Sequence, residues 1–240
     1  MAGVPDGNRH GAGNDGGCGS DMRIASISIR GFRNIKVLML EFVDATGKPT
    51  DKIILTGNMG CGKTTVLDAI HKLLSGGSSW GDESIGGRCV IRGRKRIIRT
   101  KHGSDTGCKI AYLSQYSPCI VSPDWITAVS HQRFVVLETF ANSLGWKTWA
   151  SDCRTGRLSS GQNALMKMAI PIACAVEPLD VALIDEPELH LNSSVQTHLM
   201  AALQKLSPTT QFIVATNSGE IMQSALTYER VVLENTSAAL

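Results

Sequence analysis

At 240 residues, with 42% apolar and 19% charged side chains, the chain has room for one sizeable core or two small ones. Its net charge of +3 is too slight to argue for a nucleic-acid partner by itself. No apolar run reaches the ~18 residues of a membrane helix, the nearest (169–176) being broken by Pro171, which argues against a membrane role. Seven cysteines without a C-x-x-C pair or a histidine at zinc spacing fit a reducing cytoplasm rather than a disulfide scaffold.

Residues 1–21 hold seven glycines and almost nothing apolar, so a disordered tail is expected there, with the fold starting near Met22. Arg23 to Arg30 alternates as a strand: Ala25, Ile27 and Ile29 share one face, Ser26, Ser28 and Arg30 the other, and Ile24 is off the pattern. Val37–Phe42 reads as its hairpin partner. The apolar run Ile53–Thr56 then leads into Gly57-Asn58-Met59-Gly60-Cys61-Gly62-Lys63-Thr64-Thr65, a complete G-x-x-x-x-G-K-T loop. A helix from about Lys63 to Leu74 follows, with Val66, Leu67, Ile70, Leu73 and Leu74 on one face.

Strand, Gly-rich loop and helix are the context in which such a loop binds a nucleoside triphosphate. Its glycines keep side chains away, so successive N–H groups of Gly57, Asn58, Gly60, Cys61, Gly62 and on to Thr65 can curl around the phosphates. The helix N-terminus adds partial positive charge. Lys63 can reach the β- and γ-phosphates, and the Thr64 hydroxyl can ligate Mg²⁺. Cys61, between two phosphate-binding amides, reads as a thiol whose alkylation or oxidation would block the loop.

Ser78 to Gly107 is polar and Gly-rich, with β-like runs at Cys89–Ile91 and Ile97–Ile98. Arg88, Arg92, Arg94, Lys95, Arg96, Arg99 and Lys101 place seven positive charges in fourteen residues there. Such a cluster can contact duplex phosphates weakly, or form a solvated hairpin face or an effector-docking patch; without aromatics it is unsuited to stacking single-stranded bases. The strand Ile110–Leu113 leads into Ser114-Gln115. Residues 124–150 carry a helical pattern through Val129, Phe134, Val135, Leu137 and Leu144, with Trp125, Trp146 and Trp149 packing around it. A helix from about Ser160 to Val176, bent at Pro171, precedes the β-run Val181–Ile184. A helix near Ser193–Leu206, a strand Gln211–Ala215, a short helix from Ser218 and a strand Arg230–Leu233 complete the chain. Alternating β and α after residue 160 argues for a parallel sheet covered by helices.

Two further motifs carry chemistry. The strand Val181–Ile184 ends in Asp185 and Glu186, and adjacent carboxylates at a buried strand end need a cation. Beside a phosphate-binding loop that cation is Mg²⁺ oriented by Asp185, leaving Glu186 to act as general base on the attacking water. One helix upstream, Leu158-Ser159-Ser160-Gly161-Gln162 offers hydroxyls, free amides and a helix dipole to an anion.

In this order the motifs resemble those of ATP-binding-cassette (ABC) ATPases, with Gln115 as the Q-loop residue and Leu158–Gln162 as the signature, over roughly residues 22–235. Asp185-Glu186-Pro187-Glu188-Leu189-His190-Leu191 and the opening Ile27–Asn34 are similar to the RecF-like, SMC-like and overcoming-lysogenization-defect groups of that superfamily. The resemblance implies an α/β P-loop NTPase with a mixed sheet, an N-terminal antiparallel β lobe, and a helical insertion at about 116–160 carrying the signature. It implies a head-to-tail homodimer in which Ser159, Ser160 and Gly161 of one copy complete the nucleotide site of the other. Gln115 would join Thr64 and Asp185 at the metal. Arg33 would contact phosphate within its own subunit, or else stand solvated after a turn.

The family's switch histidine is replaced here, in Ala215-Thr216-Asn217-Ser218, by Asn217. It can donate to a γ-phosphate oxygen but carries no charge, so slow turnover is expected. Met59 stands where relatives commonly place Asn. The 42 residues between Gln115 and Leu158 hold no sustained heptads, which excludes a long coiled-coil arm. Three roles remain: an ATP-gated dimerising switch acting on an effector or on DNA, a non-hydrolysing ATP-sensing scaffold, and a transporter nucleotide-binding subunit.

Overall fold

The computed structural model describes residues 22–77, 83–91, 93–100, 107–114 and 129–234. The expected tail at 1–21, the terminal 235–240, Gln115, Trp125, Arg92 and Lys101 lie outside them.

Two sheets organise the chain. The first is antiparallel, in the order β2 (Ile35–Glu41), β1 (Met22–Phe32), β4 (Ser84–Ile91), β5 (Arg94–Arg99). The second is parallel, in the order β6 (Ile110–Ser114), β7 (Val181–Asp185), β8 (Gln211–Ala215), β3 (Lys52–Gly57), β9 (Arg230–Leu233). The mixture of strand directions is thus divided between sheets. Helices are α1 (Lys63–Leu74), α2 (His131–Ser143), α3 (Trp149–Thr155), α4 (Ser160–Ala173), α5 (Ser193–Leu206) and α6 (Gly219–Gln223).

The strands of the parallel sheet are continuous apolar runs because both faces are covered. Successive side chains point to opposite sides, so Ile53, Leu55, Val181, Leu183, Ile213 and Ala215 enter a core shared with α1 and the antiparallel sheet. Ile54, Ala182, Ile184, Phe212 and Val214 enter a second core, under α2 to α6. Helix α1 is therefore sandwiched between the sheets, and Val66, Leu67, Ala69 and Ile70 are fully buried.

Ile24, off the alternation in sequence, is buried in the first core. A bulge makes this possible: β1 shifts register against β4 between Ile24 and Ser26. Buried Gln211 satisfies the backbone groups there, its Oε1 accepting from the Ile24 N–H (2.8 Å) and its Nε2 donating to the carbonyls of Ile24 (3.0 Å) and Thr50 (2.7 Å). One glutamine side chain thereby fastens the antiparallel sheet to the parallel one. The helix expected to reach Val176 ends at Ala173 with Pro171 inside its last turn, and α3 was not anticipated. No helix among the described residues is long and apolar enough to cross a membrane.

Candidate functional site

The site gathers at the carboxyl ends of β3, β7 and β8, which lie side by side: Leu55 pairs with Ala215, and Ala215 with Asp185. Ligands of open α/β sheets bind at such strand ends. Gly57 leaves β3 with φ +143°, and a Cβ there would lie 2.3 Å from the Leu233 carbonyl of β9 and 2.8 Å from Cys61 Sγ. Gly62 caps α1 in the left-handed conformation, φ +101°. Glycine is required at both positions for backbone reasons.

Lys63 is buried, and its ammonium donates to the carbonyls of Gly57 (2.9 Å) and Asn58 (3.2 Å), which holds it over the loop. The Thr64 hydroxyl donates to Asp185 Oδ2 at 2.9 Å. Asp185 Oδ1 is buried without a hydrogen-bond partner among the described residues. Burial pushes this carboxyl above the usual carboxylate range; Glu186, Asp68 and Glu188 add to the rise and the Thr64 hydroxyl opposes it. An orphaned carboxylate oxygen, a threonine hydroxyl and surrounding acids form an oxygen-donor set that fits a hard divalent cation. No three His, Cys, Asp or Glu side chains converge into a metal cage among the described residues.

Glu186 follows directly, with φ +50° and its N–H on the Ala215 carbonyl at 2.9 Å. A non-glycine residue in the left-handed region at a strand end is a strained position of the kind found at reacting centres. Register places Ser114, the residue before Gln115, opposite Asp185.

Sequence reasoning missed the part played by Glu188. Its carboxylate accepts from the Thr216 hydroxyl and from the Asn217 N–H, each at 2.7 Å. Gln196 of α5 joins the same knot, donating to the carbonyls of Glu188 (3.4 Å) and Leu191 (2.7 Å) and accepting from the Ser218 hydroxyl at 2.7 Å. The turn after Asp185-Glu186 and the loop after β8 are thus one hydrogen-bonded unit, with the Asn217 residue left exposed at its edge. The only sequence signal was the second acid of the D-E-P-E run, too general to locate a partner 28 residues away.

Several expectations change. Cys61 is buried in the first core beneath the loop, so the thiol is not presented as a reagent-accessible lock. Arg33 is exposed, as one of its two readings had it, but not free: its guanidinium lies 5.4 Å from the Phe32 ring and pairs with Asp68 of α1. Asp68 also takes the hydrogen bond of Tyr112, whose phenol is pushed upward by burial and by that contact, so it stays a donor. Asn34 accepts from the Thr65 hydroxyl at 2.9 Å, so that hydroxyl is engaged away from the loop's amides. Met59 is 92% exposed at the loop tip.

The basic cluster is divided by the pleat. Lys95, Ile97 and Arg99 of β5 share one face with Arg88 of β4, while Arg94 and Arg96 fall on the side of buried Ile98. The five described charges of the cluster therefore fall on two faces of the sheet.

The signature segment sits apart, at the N-terminus of α4. Ser159 Oγ accepts from the Gln162 N–H (3.2 Å) and Gln162 Oε1 accepts from the Ser159 N–H (2.8 Å), a complete capping box. Asp152 supports it, taking hydrogen bonds from Trp146 Nε1 (2.8 Å), Thr148 (2.8 Å) and Gln162 Nε2 (3.4 Å). The bonds from Trp146 and then Thr148 hold the Asp152 carboxyl below the usual range. Gly161 packs on the turn after β7: a Cβ there would lie 2.6 Å from the His190 carbonyl. Beside it opens a cavity of about 400 Å³ lined by Trp146, Ser159, Ser160, Gly161, His190 and Asn192.

A family model described as an AAA domain matches residues 26–119. The probable ATPase of retron Ec83 from Escherichia coli is 38% identical over 57 residues, 24% of this chain and 10% of that protein. The ATP-dependent permease PDR10 of Saccharomyces cerevisiae is 26% identical over 189 residues, 77% of this chain and 12% of the permease. The chain therefore spans about a tenth of the length of these curated relatives. Among solved structures, the SMC head domain from Thermotoga maritima superposes with a TM-score of 0.51 at 19% identity, covering 85% of this chain and 92% of that one. A bacterial Atm1-family ABC exporter with ATP bound gives a TM-score of 0.58 at 15% identity, covering 89% of this chain and 37% of the exporter. At these identities the structural likeness is one of fold.

Proposed function

We propose that this chain is an ATP-binding ATPase domain of the ABC- and SMC-like P-loop class, acting as a dimerising switch that controls a partner effector or a DNA transaction; the partial match to an AAA domain, the short match to a retron ATPase and the fold shared with an SMC head support the reading. Two ATP molecules would each lie between Gly57–Thr65 of one copy and Ser159, Ser160 and Gly161 of the other. One observation carries this reading. The amides of Ser160 and Gly161 and the Ser160 hydroxyl have no partner among the described residues, and no hydrogen bond there joins them to the loop at Gly57–Thr65. They form a second anion-suited site that the fold builds and does not itself use. Bacterial defence is the setting that the short match to a retron ATPase supports, and DNA repair is the alternative setting.

Mg²⁺, held by Thr64, Asp185 and Gln115, would neutralise charge developing on the phosphates. Lys63 would add its positive charge at the same phosphates, and Glu186 would take a proton from the attacking water. The backbone of Asn217 is fixed through Glu188, so its amide side chain would meet the γ-phosphate as an uncharged donor. Turnover would accordingly be slow.

The test is Glu186→Gln, followed by ATP hydrolysis and by size-exclusion chromatography with and without ATP. Hydrolysis is expected to fall about a hundredfold while an ATP-bound dimer accumulates. A chain that stays monomeric with ATP overturns the switch. Equal hydrolysis by parent and variant favours the alternative reading, a non-hydrolysing ATP-sensing scaffold, for which the uncharged Asn217 is the motivating feature.

A further inference from the structure

The outer face of the antiparallel sheet, turned away from α1, takes no part in the nucleotide site. Its cross-strand rows run Val37–Arg30–Ser84, Met39–Ser28–Gly86–Arg99 and Glu41–Ser26–Arg88–Ile97. The open face of an antiparallel sheet is ordinarily polar. Here Met39, Ile97 and Val37 are 71%, 68% and 62% exposed, and large aliphatics clustered at such exposure mark an interaction surface. Met39 and Ile97 stand beside a floor of Ser28 and Gly86, where one short side chain and one missing side chain leave a trough of about 350 Å³.

The trough is also charged. Arg88 is neutralised by Glu41 and braced by the Ser26 hydroxyl at 3.0 Å. Arg30 and Arg99 have no acidic partner among the described residues, and they bracket the floor: Arg30 is two residues from Ser28 on β1, and Arg99 is opposite Gly86. Duplex phosphates would satisfy the arginines but leave the aliphatic walls without an apolar counterpart. An acidic segment of a protein carrying aliphatic side chains satisfies both.

We propose that this trough is the docking surface for an acidic, amphipathic segment of a partner protein. The inference deepens the switch reading, because it gives the controlled partner a place to attach outside the nucleotide site.

The probe is a fluorescein-labelled peptide alternating Glu and Leu, followed by fluorescence anisotropy against the full chain. A poly-Glu peptide of equal length and a labelled duplex DNA serve as comparisons. Gly86→Glu fills and recharges the trough without backbone strain, since a Cβ there meets only Arg99 Cγ and the Ile98 carbonyl, both at 3.5 Å. The alternating peptide is expected to bind the parent more tightly than poly-Glu does. It should lose about tenfold in affinity with Gly86→Glu and with the Arg30→Ala/Arg99→Ala pair. Met39→Ser/Ile97→Ser should weaken it while narrowing the gap to poly-Glu. Equal binding of the two peptides, or indifference to Gly86→Glu, overturns the proposal. Tighter binding of the duplex, lost in the same variants, gives the face to nucleic acid, and an ATP-independent dimer lost in Gly86→Glu gives it to a second copy. ATP binding and ATP-dependent dimerisation are measured on every variant. A chain that dimerises with ATP but ignores the peptide fails only here, and one that binds the peptide but never dimerises fails only as a switch.

Discussion

Around Gly57–Thr65, backbone wedged into the core sets the amides: Gly57 lies under the Leu233 carbonyl, Cys61 points inward, and Lys63 is buried against the loop's own carbonyls. Around Ser159–Gln162, exposed side chains set them, through a capping box braced by Asp152 and Trp146. The first region is held by exclusion of atoms, so small changes to it should be felt by the whole fold. The second is held by hydrogen bonds at the surface, so changes there should be local and felt in assembly.

The largest expected effect is that of Gly57→Ala, which combines a left-handed φ with a 2.3 Å overlap. It should cost about 4 kcal/mol in urea unfolding, or prevent folding, and ATP binding should go with it. A variant that unfolds with the parent would break the contrast at its strongest point. Gly161→Ala meets the His190 carbonyl at 2.6 Å but keeps an unstrained φ. It should cost about 1–2 kcal/mol, retain ATP binding, and lose ATP-dependent dimerisation by size exclusion.

Asp152→Ala removes the acceptor shared by Trp146, Thr148 and Gln162, and should loosen the signature helix while leaving the loop at Gly57 intact. Tryptophan emission should shift to the red with little change in nucleotide affinity. The pH dependence follows from the same contacts. The folded-state pKa of Asp152 is depressed, so its contribution is present above the ordinary carboxylate range and lost as pH falls through the lower folded value. Trp146 emission should therefore hold at mildly acidic pH and change only below that range; a transition well above it contradicts this account. The smallest effect belongs to Arg33→Ala. Its pair with Asp68 is 58% exposed on the arginine side, so thermal unfolding should register about 0.5 kcal/mol or less.

The elements of the parallel sheet were readable almost to the residue, because buried strands and the amphipathic α1 and α5 write their period into the sequence. Ile24 was not, since a bulge breaks the period and only Gln211, distant in the chain, shows why it is tolerated. Nor was α3, a short helix without a full apolar stripe. In the candidate site, Lys63, Thr64, Asp185 and Glu186 were legible because each belongs to a motif of fixed spacing. Glu188, Asn34, Asp68 and Asp152 were not, because their partners are set by which elements happen to lie side by side.

By itself, then, the sequence determined the P-loop, the acidic strand end, the capped signature helix and the alternation of strand and helix, all consequences of local spacing. Tertiary structure alone decided that Cys61 faces inward, that Arg33 answers to Asp68, and that Glu188 fastens the loop at Asn217. It also decided that the basic run splits across a pleat. The physical reason is common to all of these. Period and spacing fix which way a side chain points within its own element, but its partner is fixed by packing between elements far apart in the chain.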